Sequence, residues 1–189
     1  MKPTWLLLTL GLCTQCSHKS LVTPSPAQTF AEREIAVVQA VAPSFPGQWK
    51  LTEVQYRKAP YLASPDGWPT DTLIAQFATL TLRSVPASHP WQQQHPEFEG
   101  ELTYAGKTYP VAFALWANPD QVVRQQGPPA YFRLEYHFPN GTHQTEVEEQ
   151  FLQDVGLVGS SFSIEAAVDQ HTMQWTGFDR HLRTITLRK

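Results

Sequence analysis

Residues 97–116 have the sequence EFEGELTYAGKTYPVAFALW, and their alternation of polar and apolar side chains decides the predicted fold. The first half places glutamates on one face and apolar side chains on the other, which is the two-residue period of a half-buried β-strand. Ala105 and Gly106 then predict a two-residue turn, since glycine readily adopts the positive φ that such turns need. Pairs counted outward from this turn place Leu102 opposite Tyr109, and apolar residues also meet at the other inward pairs. The stretch therefore predicts an antiparallel hairpin with one buried face.

Similar alternation recurs on both sides of this hairpin. Between residues 49 and 56 the apolar side chains change face, and a β-bulge at residues 52–53 would reconcile them. Further strands are predicted over 73–83 and 131–138. The stretches between strands are rich in proline and glycine, as connecting loops are. The chain is therefore predicted to be all-β after its N-terminal part.

An Asn-Gly turn signal at 140–141 predicts a return strand that would pair Leu134 with Val147. Two more strands flank a turn at 169–170, and a last strand ends the chain, which gives eight or nine strands. Strands joined to their sequence neighbours favour an up-and-down barrel over a Greek-key sandwich. The predicted fold is thus an all-β, up-and-down antiparallel barrel of eight or nine strands with a short N-terminal helix. In this count the turn at 169–170 lies at the same end as the turn at 105–106.

The N-terminal part of the sequence predicts export. Residues 1–16 combine one lysine with a short apolar run, which is typical of a secretory signal peptide. Their end resembles a bacterial lipoprotein signal, in which a cysteine is lipidated; Cys16 is the first candidate and Cys13 the second. The resemblance implies a protein of the cell envelope, in the periplasm or at the outer membrane, held on a membrane by its lipid. An ordinary cleaved signal with an incidental cysteine is the alternative.

The segment after the signal predicts a tether and a helix. Residues 17–28 are polar, contain two Ser/Thr-Pro steps and predict a flexible tether. Thr29 and Glu32 have the spacing of a capping box, and apolar residues at helical spacing follow. They predict a short amphipathic helix within 29–42 that covers one end of the barrel, which itself takes up 43–189.

Composition narrows the classes of function. The net charge is −3, the pI is about 6.1, and no cluster of four or more Lys and Arg occurs, which argues against nucleic acid as a partner. Both cysteines, Cys13 and Cys16, lie at the N-terminus. Their position excludes a disulfide framework, a thiol nucleophile and a cysteine-based zinc site from the folded part. A monomer without a cofactor is expected.

Gly47-Gln48-Trp49 opens the first predicted strand, a short helix precedes it, and a long loop over 57–71 follows. This arrangement resembles a lipocalin or lipocalin-like calycin barrel, and most closely the lipocalin-like domains of bacterial envelope lipoproteins. The resemblance covers 43–189. In that family a basic residue of the last strand packs over the tryptophan, which implies Arg183 or Arg188 here. The hypothesis of a small apolar or amphipathic ligand inside the barrel rests on the aromatic inward face, its three tyrosines and the long loop.

The inward face of the predicted barrel is the candidate binding site. A barrel of about eight strands is just wide enough to fill with side chains or to hold one small ligand. The tyrosines of this face would orient a polar end of the ligand, a loop tryptophan would form part of a lid, and Gly100 would leave room. The predicted ligand-binding residues are Phe98, Leu102, Tyr104, Tyr109, Phe113, Phe132, Tyr136, Trp175 and Trp68.

The seven histidines do not predict a metal site. The turn at 140–141 would place His137 and His143 on opposite faces of the sheet, and His89 and His95 are spaced more widely than zinc ligands usually are. Most glutamates fall on the solvent-facing side of the predicted strands, and no nucleophile or phosphate-loop motif occurs. The sequence therefore predicts no metal and no catalytic residue.

Two other functions remain open from the sequence. A barrel filled with side chains would make the chain a structural or interaction protein of the envelope. An inward cluster of polar or titratable side chains would instead indicate an enzyme on the same barrel. The inward face contains little of that kind beyond its tyrosines.

Overall fold

The computed structural model describes residues 28–61, 71–141, 143–169 and 171–189, with the backbone alone for 166–169. These residues form a closed barrel of eight strands, in which each strand pairs antiparallel with its sequence neighbour and the last pairs with the first. The strands are β1 (Gly47–Arg57), β2 (Asp71–Ser84), β3 (Glu97–Tyr104), β4 (Lys107–Ala117), β5 (Ala130–Tyr136), β6 (Ser160–Asp169), β7 (Thr172–Gly177) and β8 (Leu182–Arg188). The predicted all-β, up-and-down antiparallel barrel is confirmed, with eight strands.

Some predicted features lie outside the described residues. They are the signal peptide of 1–16 with Cys13 and Cys16, all but the last residue of the tether of 17–28, and Trp68 in the predicted lid loop.

Helices occur before and between the strands. The helices of the described residues are α1 (Phe30–Val41), α2 (Pro90–Gln94), α3 (Pro119–Arg124) and α4 (Val147–Asp154), with a short 3-10 turn over Ala42–Ser44. None of these helices is long and apolar enough to cross a bilayer.

The hairpin of β3 and β4 has the predicted register. Leu102 lies opposite Tyr109, and Phe98 lies opposite Phe113. The turn residue Ala105 has a φ of 50°, and Gly106, which follows it, has a φ of 81°. Two positive φ values are what a two-residue turn between twisted strands requires.

The predicted β-bulge in β1 is also present. The register of β1 shifts between Leu51 and Glu53 against both of its neighbours, β2 and β8. Because of this shift Trp49 and Leu51, before the bulge, and Val54 and Tyr56, after it, are all buried. The first strand therefore contributes four apolar side chains to the core although its sequence changes phase.

The helix α1 occupies the predicted segment and has the predicted cap. The Thr29 hydroxyl accepts a hydrogen bond from the Glu32 amide at 3.2 Å, and the Glu32 carboxylate accepts one from the Thr29 amide at 2.7 Å. These two bonds satisfy amide groups that no helical carbonyl can reach. On the inner face of α1, Val38 is buried.

The return strand predicted after β5 is wrong. Residues 143–146 form no strand, 147–154 form α4, and β5 pairs with β6, where Leu134 lies opposite Ser160. Because one predicted strand is missing, each later strand runs in the direction opposite to the predicted one. The connection between β6 and β7 therefore lies at the opposite end of the barrel from the β3–β4 turn, contrary to the prediction.

The residues of α4 explain why a helix forms there. Glu149 stands three residues after the N-cap residue Glu146, and its carboxylate accepts the Glu146 amide hydrogen bond at 3.3 Å. Leu152 and Val155 are fully buried and Phe151 is half-buried, a spacing that fits one face of a helix. Burial of this face favours the helix over the turn and return strand.

Helices cover both ends of the barrel. At the α1 end, where β1 starts, α1 packs against α2, α3 and β4. At the α4 end, where β1 finishes, α4 is followed by the buried apolar residues Val155, Leu157 and Val158. The core therefore lies inside the strands and continues under a helix at each end.

A hydrogen bond from its indole and a contact with a basic side chain hold Trp49 at the α1 end. Its Nε1 donates a hydrogen bond to the Phe45 carbonyl at 2.7 Å, and Lys189 Nζ lies 4.6 Å from the centre of its ring. The prediction of Arg183 or Arg188 at this place is wrong. Inward Leu187 makes Arg188 point outward, and the next residue, Lys189, reaches the indole face instead.

Candidate functional site

The predicted ligand-binding residues fall into two groups. Phe98, Phe113, Phe132 and Trp175 pack on one another inside the barrel. Ring centroids are 5.1 Å apart for Phe98 and Phe113, 4.5 Å for Phe113 and Phe132, and 4.8 Å for Phe132 and Trp175. Phe113 is the most exposed of the four at 5%. These four rings are therefore part of the barrel core.

Two further rings complete this aromatic column, which comprises Phe45, Phe98, Phe113, Phe132, Phe162 and Trp175. Phe45 enters from the segment before β1 and lies 5.0 Å from Phe98 and 5.3 Å from Phe113. Phe162 of β6 lies 5.7 Å from Trp175. Phe45 belongs to no strand, so the alternation of the strands does not predict it. The one available signal was a lone aromatic residue between Pro43 and Pro46.

Gly100 does not leave the room that its small size predicted. A Cβ built on Gly100 would lie 1.9 Å from the Thr81 carbonyl oxygen and 3.0 Å from Leu82 Cδ2. The backbone of β2 therefore occupies the position of the missing side chain. Glycine inside a strand often marks such a close approach of another backbone.

The second group, Leu102 and the three inward tyrosines, lies toward the α4 end. Leu102 is fully buried. The Tyr109 hydroxyl donates to Glu146 Oε2 at 2.9 Å, and the Tyr136 hydroxyl donates to the Glu149 carbonyl at 3.0 Å. Tyr109 is buried and Tyr136 is half-buried, and the hydroxyls of both bind the segment that carries α4.

Tyr104 contacts the same helix through its ring. The Tyr104 ring stacks on Phe151 of α4 at 5.4 Å, with an angle of 14° between the ring planes. Phe77 of β2 lies 5.2 Å from Tyr104 and 6.5 Å from Phe151. Aromatic contacts therefore hold the middle of α4 on the barrel, and hydrogen bonds hold its start.

Charged side chains add to these contacts at the barrel rim. Lys107 Nζ lies 2.7 Å from Glu148 Oε2 and 3.1 Å from Glu146 Oε2. His143 Nε2 lies 2.6 Å from Glu149 Oε2, and the His143 ring stacks on Phe138 at 3.7 Å. We call this group the α4 contact cluster; it comprises Lys107, Tyr109, Tyr136, Phe138, His143, Glu146, Glu148 and Glu149.

The pKa values in the α4 contact cluster follow from burial and from these bonds. Burial, and next the hydrogen bond to Glu146, raise the pKa of Tyr109 to about 12. Burial likewise raises the pKa of Tyr136. The hydrogen bonds from Tyr109 and then Lys107 lower the pKa of Glu146, and the bond from Lys107 lowers that of Glu148. At neutral pH Tyr109 and Tyr136 are therefore neutral and Glu146 and Glu148 are ionised, an arrangement that fixes the start of α4.

Among the described residues, surface depressions lie outside the barrel. One, of about 470 Å³, is lined by outward residues of β2, β3 and β4, including Arg83, Glu99 and Pro110. A neighbouring depression of about 270 Å³ extends across β4 to β5. Another, of about 470 Å³, is lined by residues of α1 and α3. Within the part of the chain that the structure describes, no group of three or more His, Cys, Asp or Glu is placed to hold a metal ion.

These observations define the class of protein: an eight-stranded, up-and-down antiparallel β-barrel whose interior holds a column of aromatic rings and whose ends are covered by helices. Comparison with protein-family models, with curated proteins and with solved structures finds no match for this chain.

Replacing Tyr109 by phenylalanine is expected to lower the free energy of unfolding by about 1 kcal/mol at neutral pH, because the bond to Glu146 is lost. The variant should also lose less stability than the wild type when the pH rises above about 10. The folded pKa of about 12 exceeds the ordinary value of about 10, so the neutral hydroxyl stabilises the fold fully below about pH 10 and loses this effect as the pH rises toward 12. Thermal melts from about pH 8 to about pH 11 measure both effects.

The matched control is Tyr61→Phe, since Tyr61 is 96% exposed and loses the same hydroxyl group. Tyr109→Phe should show a shallower decline of melting temperature with pH than either this control or the wild type. An equally steep decline in all three proteins would contradict the contact between Tyr109 and Glu146.

Proposed function

We propose that this chain is a non-catalytic envelope lipoprotein whose lipocalin-like barrel is filled and which acts by binding other molecules at its outer surface. The aromatic column is the observation that carries the proposal. Its rings lie 4.5 to 5.1 Å from their neighbours along Phe98, Phe113, Phe132 and Trp175. Because an eight-stranded barrel has little interior space, rings packed in this way compete with any interior ligand.

The lipocalin-like part of the proposal rests on the start and the end of the barrel. Trp49, two residues after Gly47, lies in the first strand, and Lys189 lies over its ring at 4.6 Å. A helix precedes this strand, and β8 closes the barrel on β1. This combination of Gly-x-Trp, basic residue and preceding helix supports membership of that type of barrel.

The lipoprotein part of the proposal rests on the N-terminal sequence. Residues 1–16 have one lysine, a short apolar run and Cys16 at the end. A lipid on Cys16 would hold the protein on an envelope membrane and leave the barrel in the aqueous phase beside it. The barrel would then present its outer face to molecules of the envelope.

Titration of the purified protein with the fluorescent probe anilinonaphthalene sulfonate tests the filled barrel. We expect no saturable binding, and we expect mass spectrometry of an organic extract to find no stoichiometric small molecule. Phe113→Ala with benzene is the positive control, because loss of one ring from the column should open an apolar cavity of about the size of benzene. Saturable binding of one probe per wild-type molecule would contradict the proposal.

A second candidate function is binding of a small amphipathic ligand beneath α4. The observation in its favour is that Tyr109 and Tyr136 direct their hydroxyls at α4 and its N-cap residue, so a moving α4 would offer both hydroxyls to a ligand. The double variant Lys107→Met and Glu146→Gln removes the contacts of Lys107 with Glu146 and Glu148 and leaves the contact of His143 with Glu149 in place. Saturable probe binding by this variant, together with a ligand extracted from the wild type, would favour the second function.

A further inference from the structure

Exposed aromatic side chains gather at the α1 end of the barrel. Trp91 of α2 is 46% exposed, Trp116 of β4 is 38% exposed, and their rings meet edge to face with centroids 6.2 Å apart. His95 lies beside both, with its ring 3.8 Å from Trp116 and 5.0 Å from Trp91. Phe30, the first residue of α1, is 42% exposed. We call Phe30, Trp91 and Trp116 the α1-end aromatic patch.

The local structure explains why these rings point outward. Trp116 faces solvent because its neighbours Leu115 and Ala117 face the core. Phe30 begins α1, and α1 packs against α2, the helix that carries Trp91. Phe30 and the two tryptophans therefore lie at the same end of the barrel.

The ring contacts of Trp91 and Trp116 hold α2 against β4, yet both tryptophans stay partly exposed. Single exposed apolar residues are normal, but several large ones at one end of a molecule usually mark an interaction surface. The surrounding charges have both signs: Arg33 and Glu34 lie on α1, and Asp120 and Arg124 form an ion pair of 3.5 Å on α3. The surface therefore has aromatic character without a strong charge of one sign.

The chain reaches the barrel at this same patch. Gln28 and Thr29 come directly before Phe30, so the segment that carries Cys16 joins the barrel at the α1 end. The segment from Cys16 to Gln28 can span at most ~40 Å. A lipid on Cys16 would consequently limit the distance between the α1 end and the bilayer, and direct contact falls within that limit.

We infer that the α1-end aromatic patch rests on the surface of a lipid bilayer, with Trp91 and Trp116 among the lipid headgroups. The inference rests on the proposed lipid anchor. Tryptophan has an apolar body and a polar N–H, and it is enriched where membrane meets water. The mixed charges around the patch fit zwitterionic lipid. Because the anchor holds the patch near the bilayer, the effective concentration of lipid at the patch is high, and a weak contact suffices to orient the barrel.

The test uses the protein isolated from the membranes of the expressing cells and reconstituted into phosphatidylcholine vesicles whose acyl chains carry bromine. Bromine quenches tryptophan fluorescence only at short range. We expect clear quenching in the wild type and loss of most of it in the double variant Trp91→Phe and Trp116→Phe. The matched control is Phe178→Ala with Val147→Ala, two exposed apolar residues at the α4 end, which should be quenched like the wild type.

The outcomes separate the inference from the proposed function. Intact mass measurement, with Cys16→Ser as control, decides whether a lipid is attached. A lipidated protein without quenching overturns the inference and leaves the lipoprotein proposal standing. If no lipid is attached, the same vesicles are added to the isolated protein: quenching that the tryptophan variant loses supports the inference, and its absence overturns it. A third outcome is that both tryptophans are protected from an aqueous quencher but are not quenched by bromine. That outcome would indicate a protein partner and overturns the inference.

Discussion

Replacing Phe132 by alanine is expected to lower the free energy of unfolding by about 3–5 kcal/mol. Phe132 is at the centre of the aromatic column: its ring centroid lies 4.5 Å from that of Phe113, 4.8 Å from Trp175, 5.8 Å from Phe162 and 5.9 Å from Phe45. Its removal takes apolar area out of the core and leaves a cavity among rings that come from different strands and cannot easily move together. Urea unfolding followed by circular dichroism measures the change.

The matched control is Phe178→Ala, since Phe178 is 55% exposed. This substitution should change the free energy of unfolding by no more than about 0.5 kcal/mol. Phe132→Leu keeps part of the side chain and should fall between the two, which gives a measurable value if the alanine variant fails to fold. If Phe132→Ala costs no more than Phe178→Ala, the barrel is not packed around Phe132, and an interior ligand site becomes the better proposal.

Local sequence signals predicted the elements whose pattern and packing agree. The hairpin register followed from alternation, since shifting Leu102 from its place opposite Tyr109 by one residue would turn every apolar side chain outward. The cap of α1 followed from Thr29 and Glu32 because both bonds are local. The bulge in β1 followed from a change of phase in the sequence. In each case the information lies within a few residues.

The return strand was wrong because two local signals competed. An Asn-Gly turn signal at 140–141 indicated a hairpin, whereas Phe151, Leu152 and Val155 had helical spacing. The helix forms because these apolar side chains find cover at the α4 end, against Tyr104 among others. Cover of that kind depends on tertiary contacts, which the sequence around the turn does not contain.

The candidate site could be predicted from the sequence only in part, and for a different reason. Alternation predicts which side chains face inward, but it does not give the distances between rings on strands far apart in sequence. Phe98 and Trp175 share the aromatic column, and Phe45 joins it from a segment that no strand pattern includes. The partners of Tyr109 and Tyr136 lie on a helix that the strand count had replaced by a return strand. The inward set was therefore predictable, and the contacts that join its rings into one column were not.

Gly100→Ala is expected to destabilise the barrel by about 3 kcal/mol, because a methyl group there has no space and the strands must separate to admit it. The added Cβ would lie 1.9 Å from the Thr81 carbonyl oxygen, and this atom belongs to the backbone of β2, so no side-chain rotation relieves the contact. Gly100 pairs with Leu82 in the β2–β3 ladder, and separation would weaken hydrogen bonds on both sides. A lower melting temperature, by roughly 6–12 °C for a domain of this size, is the measurable result.

Gly106→Ala is the matched control, since a Cβ at Gly106 meets nothing within 4 Å and only the φ of 81° opposes it. Strain of that kind costs about 1 kcal/mol. A loss for Gly100→Ala no larger than for Gly106→Ala would mean that β2 and β3 part easily and that the barrel wall has room at this position. That result would favour a ligand inside the barrel, whereas a threefold larger loss would show a wall as tightly packed as the aromatic column it encloses.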